Sequence, residues 1–141
     1  MNRSVPTDML VPHVAYEDVD AAMRWLSRVF GFVESYRYGP PSAPQGGQMR
    51  FGSACIQLHS ARPDRSTPRK LGAWTQMITL IVPDARAMHE RVRAAGAELD
   101  EALNDTFYGE RQFSAKDPEG HRWLFSQHIA DVDPAGWAVV P

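Results

Sequence analysis

The chain has 141 residues, 43% of them hydrophobic and 23% charged, with a formal net charge of −2 at pH 7. That balance suits one globular domain with its own core and excludes a disordered chain. Charges of both signs are interspersed, so no basic stripe marks nucleic acid or an anionic membrane as a partner, and the single cysteine, Cys55, excludes an internal disulfide and a multi-cysteine zinc site.

Residues 1 to 7 read as a loose leader without the long apolar run of a signal peptide. Nothing later approaches a membrane span, and the expected location is cytoplasmic. A strand is expected over Leu10 to Tyr16, with Val11, His13 and Ala15 on one face, and Pro12 marking an edge position or a bulge. Asp18 is a candidate N-cap for a helix from about Asp20 to Phe30. There Ala22, Trp25, Leu26, Val29 and Phe30 form an apolar stripe, and Gly31 suits the C′ position. A strand near Phe32 to Arg37 precedes Gly39 to Gly47, which is too rich in Pro and Gly for regular structure. Strand alternation returns over Gln48 to Ser60, with Ala54, Ile56 and Leu58 on one face and Ser53, Cys55, Gln57 and His59 on the other.

Ala61 to Ala73 reads as an exposed linker. Trp74 to Val82 starts a second cycle, with Asp84 capping a helix over Ala85 to Ala95 and Gly96 ending it. The two helices share a weak repeat at Ala22/Ala87, Met23/Met88, Arg28/Arg93 and Gly31/Gly96. A turn at Asp117-Pro118-Glu119-Gly120 then joins two strands. If that turn closes a regular hairpin, Arg111 lies opposite Ser126 and Phe113 opposite Leu124 on an inward face. Trp123 and Phe125 are expected beneath a helix, His89 and His121 in solvent. The segment after Ile129 reads as an irregular tail whose Trp137 docks on the body or on a second subunit.

The pieces HVAYEDVDAAMRWLSRVFGF, FGSACIQLH, MITLIVPDARAMHERVRAAGAEL and KDPEGHRWLF resemble the vicinal oxygen chelate family of glyoxalases, extradiol dioxygenases and bleomycin-resistance proteins. The resemblance implies a single α+β domain. Two βαβββ modules, about residues 8 to 60 and 74 to 129, would curl around a shared cavity. Metal-dependent members carry one His or Glu on each of four inward strands, and those positions fall near Val11, Gln57, Met77 and Leu124. Val and Leu offer no donor, Met is soft and Gln is neutral, whereas hard divalent ions want carboxylates and imidazoles. The expectation is therefore no metal and no other cofactor. A displaced site would need His13, His59 and a carboxylate such as Glu110.

His13 and His59 are also acid/base candidates, because imidazole titrates near neutrality. Arg111 can clamp an anion, and Tyr108 can hydrogen-bond a ligand. Cys55 has no evident activating base. The expected ligand-binding set is His13, Gln57, His59, Met77, Tyr108, Arg111, Phe113 and Leu124; catalytic candidates, if any, are His13, His59 and Arg111. The expected function is metal-independent binding of a small organic molecule by a homodimer, in the manner of drug or antibiotic sequestration. The alternative is an enzyme of the same family, a glyoxalase-like lyase or isomerase or a metal-free acid/base catalyst, acting on a small oxygenated substrate.

Overall fold

The computed structural model describes residues 9–137; the expected leader and residues 138–141 lie outside that range. The chain forms two compact units, one reaching to Thr75 and including Pro118–His121, the other comprising Gln76–Asp117 and the chain from Arg122 onward.

In the first unit, β1 (His13–Tyr16), β2 (Val33–Tyr38), β3 (Gly46–Phe51) and β4 (Ala54–Ser60) form a sheet in the order β1-β4-β3-β2. β1 starts at His13, three residues later than expected. Pro12 cannot donate to a ladder, and its carbonyl instead accepts the Gln57 N–H at 2.9 Å. The alternation over Gln48 to Ser60 belongs to a hairpin rather than one strand. Gly52, at φ 59°, turns the chain so that Met49 pairs with Ile56 and Phe51 with Ala54. Asp18 caps α1 (Val19–Trp25) as expected, accepting the Ala21 N–H at 3.0 Å. The helix then widens into a π turn over Leu26–Phe30, which buries Leu26, Val29 and Phe30 before Gly31 ends it at φ 86°. Met23, Leu26, Val29 and Phe30 share the core with Val14, Tyr16, Met49, Ile56 and Leu58. The segment expected as an exposed linker holds a short helix, α2 (Pro68–Leu71), capped by the buried Thr67.

In the second unit, β5 (Met77–Ile81), β6 (Glu98–Leu99), β8 (Glu110–Lys116) and β9 (Arg122–His128) run in the order β5-β9-β8-β6, with β7 (Asn104–Asp105) also paired to β8. Both sheets set their first strand parallel beside their last, so His13 pairs with Gln57 and Thr79 with Leu124. Asp84 caps α3 (Ala85–Ala94) through the Ala87 N–H at 3.0 Å. Trp123 and Phe125 are fully buried on the α3 side, as the alternation indicated. The tail forms a 3₁₀ turn at Pro134–Gly136, and Trp137 packs against Phe107 and Tyr108 of the same unit, with ring centroids 5.8 and 5.9 Å away.

The β8–β9 hairpin is one residue out of its expected register. Lys116 pairs with Arg122, so Asp117 to His121 all lie in the turn; Arg111 faces Gln127 and Phe113 faces Phe125. The physical reason is His121. It is buried rather than solvent-facing, and its ring N–H donates to the Ala15 carbonyl at 2.6 Å, which removes it from the ladder. A slip of one residue exchanges the two faces of a strand. Phe113 therefore stacks on Phe125 at 4.9 Å with His89 of α3 edge-on at 5.0 Å, and His89 is half-buried rather than free in solvent.

Candidate functional site

The face of the first sheet that points away from α1 carries a concentrated set of polar side chains. Strand register arranges them in two rows. Tyr38, Gly46 and His59 are direct partners across β2, β3 and β4, and beside them Tyr36, Gln48 and Gln57 are direct partners across the same strands. His13 on β1 pairs with Gln57 and completes the set.

The first row has a glycine at its centre, and the ring of Tyr38 uses the space. A Cβ on Gly46 would lie 2.3 Å from the Tyr38 hydroxyl oxygen and 2.4 Å from the Leu58 carbonyl. With no side chain there, the hydroxyl reaches His59 Nδ1 at 3.2 Å. His59 Nε2 lies 2.6 Å from His13 Nδ1, with the two rings parallel within 7°. A single proton serves that N···N contact, because two N–H groups pointing at each other repel. Burial, then Arg65, His13 and Arg62, hold the His59 pKa below the ordinary imidazole range, so His59 is neutral at pH 7.

The second row has Gln48 at its centre. Gln57 Nε2 donates to the Tyr36 hydroxyl at 3.0 Å, and that bond crosses the strand carrying Gln48. Gln48 is wholly buried, and neither its amide nitrogen nor its amide oxygen has a hydrogen-bond partner. An orphaned buried polar group costs about 1–3 kcal/mol. Sequence reading named His13, Gln57 and His59 but missed Gln48, Tyr36 and Tyr38. The available signal was the alternation of Tyr36 and Tyr38 along one strand.

The remaining expected site residues belong to the second unit. Met77 and Leu124 lie on the sheet face turned away from α3, Met77 exposed and Leu124 half-buried, in register with Arg122 and with Thr79 and Ser114 respectively. The Tyr108 hydroxyl donates to Gln112 Oε1 at 3.1 Å, and Gln112 Nε2 in turn donates to Glu101 at 3.1 Å. Arg111 and Phe113 do not join them, since register puts both on the α3 side. Arg111 grips Asp105 through two bonds of 2.7 and 3.0 Å, which lowers the Asp105 pKa. Glu110 accepts from Ser126 at 3.1 Å and bonds His128 at 3.0 Å; His128 also meets Asp131 at 2.7 Å, and the two carboxylates raise its pKa.

A cavity of about 260 Å³ lies on the helix side of β2 and β3, but Arg24 and Arg37 on its wall already bond Asp20 and Glu34. Among the described residues, no three His, Cys, Asp or Glu side chains form a group able to hold a metal ion. The family resemblance carries the metal positions of metal-dependent members to Val11, Gln57, Met77 and Leu124, and that set of side chains would not fit a hard divalent cation. No helix of the described residues is long and apolar enough to cross a membrane.

The fold matches TioX from Micromonospora sp. ML1 with a TM-score of 0.74 and 29% identity, covering 86% of this chain and 99% of that one. It also matches a bleomycin resistance determinant encoded on transposon Tn5 (TM-score 0.68, 17% identity, 86% and 98% covered). The fosfomycin resistance protein FosX from Listeria monocytogenes is similar in fold as well (TM-score 0.65, 12% identity, 87% and 94% covered). An uncharacterized protein of Mycobacterium bovis is 30% identical over 130 residues, covering 88% of this chain and 86% of its own length. Residues 9–125 match the family model described as Glyoxalase/Bleomycin resistance protein/Dioxygenase superfamily, and the chain belongs to that family, the vicinal oxygen chelate proteins anticipated from its motifs.

Proposed function

We propose that this chain is a metal-independent binding protein for a small organic molecule, of the kind that sequesters a drug or antibiotic. The observation that carries the reading is the donor set. By the family resemblance, Val11, Gln57, Met77 and Leu124 fall where metal-dependent members would need imidazoles and carboxylates, while the polar face of the first sheet keeps aromatic hydroxyls, carboxamides and imidazoles suited to an organic ligand. The names of structural neighbours, which include a bleomycin resistance determinant and a fosfomycin resistance protein, are consistent with a resistance role. We extend the proposal to a homodimer, by analogy with the family.

The test is a thermal-shift screen of antibiotics and other small organics, followed by calorimetry on His13→Ala and Gln57→Ala. A ligand that raises the melting temperature and loses roughly ten-fold or more in affinity in either variant, equivalent to about 1.4 kcal/mol, supports the assignment. Unchanged affinity in both variants moves the site elsewhere.

A second reading, a metal-free acid/base enzyme acting on a small oxygenated substrate, is favoured by one feature. His59 is held neutral and lies 2.6 Å from His13, so its imidazole can accept a proton at pH 7. Turnover abolished by His59→Gln would select it.

A further inference from the structure

We infer that the row Tyr36–Gln48–Gln57 is a subsite for the edge of a cis-amide, the chemistry of a lactam or cyclic imide. The inference rests on the proposed small-molecule function and names the chemical class for that same face.

The two rows argue it by contrast. Where Gly46 holds the centre, every polar group laid across it has a partner: Tyr38 meets His59, and His59 meets His13. Where Gln48 holds the centre, its two neighbours bond each other and leave it out. A glutamine kept for structure would have its partner built in, because buried polar groups are otherwise hydrogen-bonded. Gln48 has neither amide atom partnered and no exposure to water.

The missing partner is defined by what a carboxamide offers. One edge presents an N–H donor beside a carbonyl acceptor. A carboxylate would satisfy the nitrogen and leave the oxygen unmet, and a ketone or ether would do the same. A trans amide points its N–H and C=O in opposite directions. A cis-amide edge supplies one acceptor and one donor side by side, so both atoms of Gln48 are met by two parallel bonds. Binding displaces the single neutral bond from Gln57 to Tyr36 and frees both groups to contact the ligand.

The experiment uses the whole chain with δ-valerolactam, N-methyl-valerolactam and cyclohexanone as probes, followed through side-chain amide signals by proton–nitrogen NMR. The Gln48 pair is assigned by its disappearance in Gln48→Met. The expected result is a saturable shift of the Gln48 amide pair with valerolactam, and at least a ten-fold weaker response to the other two. Gln48→Met should remove the difference. Equal binding of the three probes to the wild-type protein, or a lactam preference that survives Gln48→Met, overturns the subsite. If the variant does not fold, the relative affinities of the three probes for the wild-type protein decide. Aromatic fragments that perturb His13 and His59 while lactams leave Gln48 unmoved would sink the subsite and spare the binding function. No response of this face to either class sinks both.

Discussion

The carboxylate of Glu119 accepts the backbone N–H of Glu17 at 2.6 Å and that of Asp18 at 3.2 Å. A residue from the β8–β9 turn thus holds the chain at the entry to α1, just ahead of the Asp18 cap. Its own carbonyl accepts the Arg69 N–H at 3.1 Å, and His121 ties the same turn to Ala15. This is why Asp117-Pro118-Glu119-Gly120-His121 is a turn with specific side chains rather than any polar loop. Glu119→Ala is expected to cost about 1–2 kcal/mol, the usual scale for a carboxylate satisfying helix-entry N–H groups. Urea denaturation of the two proteins measures it, and an unchanged midpoint would remove Glu119 from the fold's supports.

Register makes a second pair of outcomes opposite in size. Phe113→Ala empties a fully buried site against Phe125 and is expected to cost about 3–5 kcal/mol. Arg111→Ala breaks a solvent-screened ion pair and should leave stability almost unchanged. Because Arg111 lies on the α3 side, its loss should also leave ligand affinity unchanged. A large affinity loss in Arg111→Ala would show that the α3-facing side takes part in binding.

Gly46 is expected to be intolerant of even one added carbon. Gly46→Ala puts a Cβ against the Leu58 carbonyl as well as the Tyr38 hydroxyl, so backbone must shift, at about 1–3 kcal/mol. The His59 ring signal in NMR should move as Tyr38 leaves it. A variant with wild-type stability and an unmoved His59 signal would contradict the packing of that row.

Two histidines set opposite pH dependences. His59 has a folded pKa below its unfolded value, so its contribution is present above about pH 6.5 and is lost as pH falls toward the lowered folded pKa. His128 has a raised folded pKa; its contribution is complete below about pH 6.5 and is lost as pH rises from there through the raised folded pKa. NMR titration should therefore place the His59 midpoint below the His128 midpoint. The reverse order would mean that burial of His59 and the carboxylates at His128 do not dominate their surroundings.

The helices and their ends were legible in the sequence because their signals are local: Asp18 and Asp84 cap, and Gly31 and Gly96 follow the last turns. The buried positions of Trp123 and Phe125 were legible from alternation. The register of β8 against β9 was not, since it depends on a contact between His121 and Ala15, 106 residues apart. The site was half-visible for the same reason. His13, Gln57 and His59 stand out as chemistry-bearing types on alternating strands, whereas Gln48 acquires its character only from lying between Tyr36 and Gln57 on neighbouring strands.

Metal content is the most direct test of metal-independent binding. Untagged protein would be assayed by plasma mass spectrometry before and after incubation with Zn, Ni, Co, Mn and Fe(II), then dialysed. The expected result is no near-stoichiometric retention of any of them, with ligand binding unaffected by a chelator. Near-stoichiometric metal that disappears in His13→Ala would contradict it and place a displaced metal centre at the His13–His59 pair.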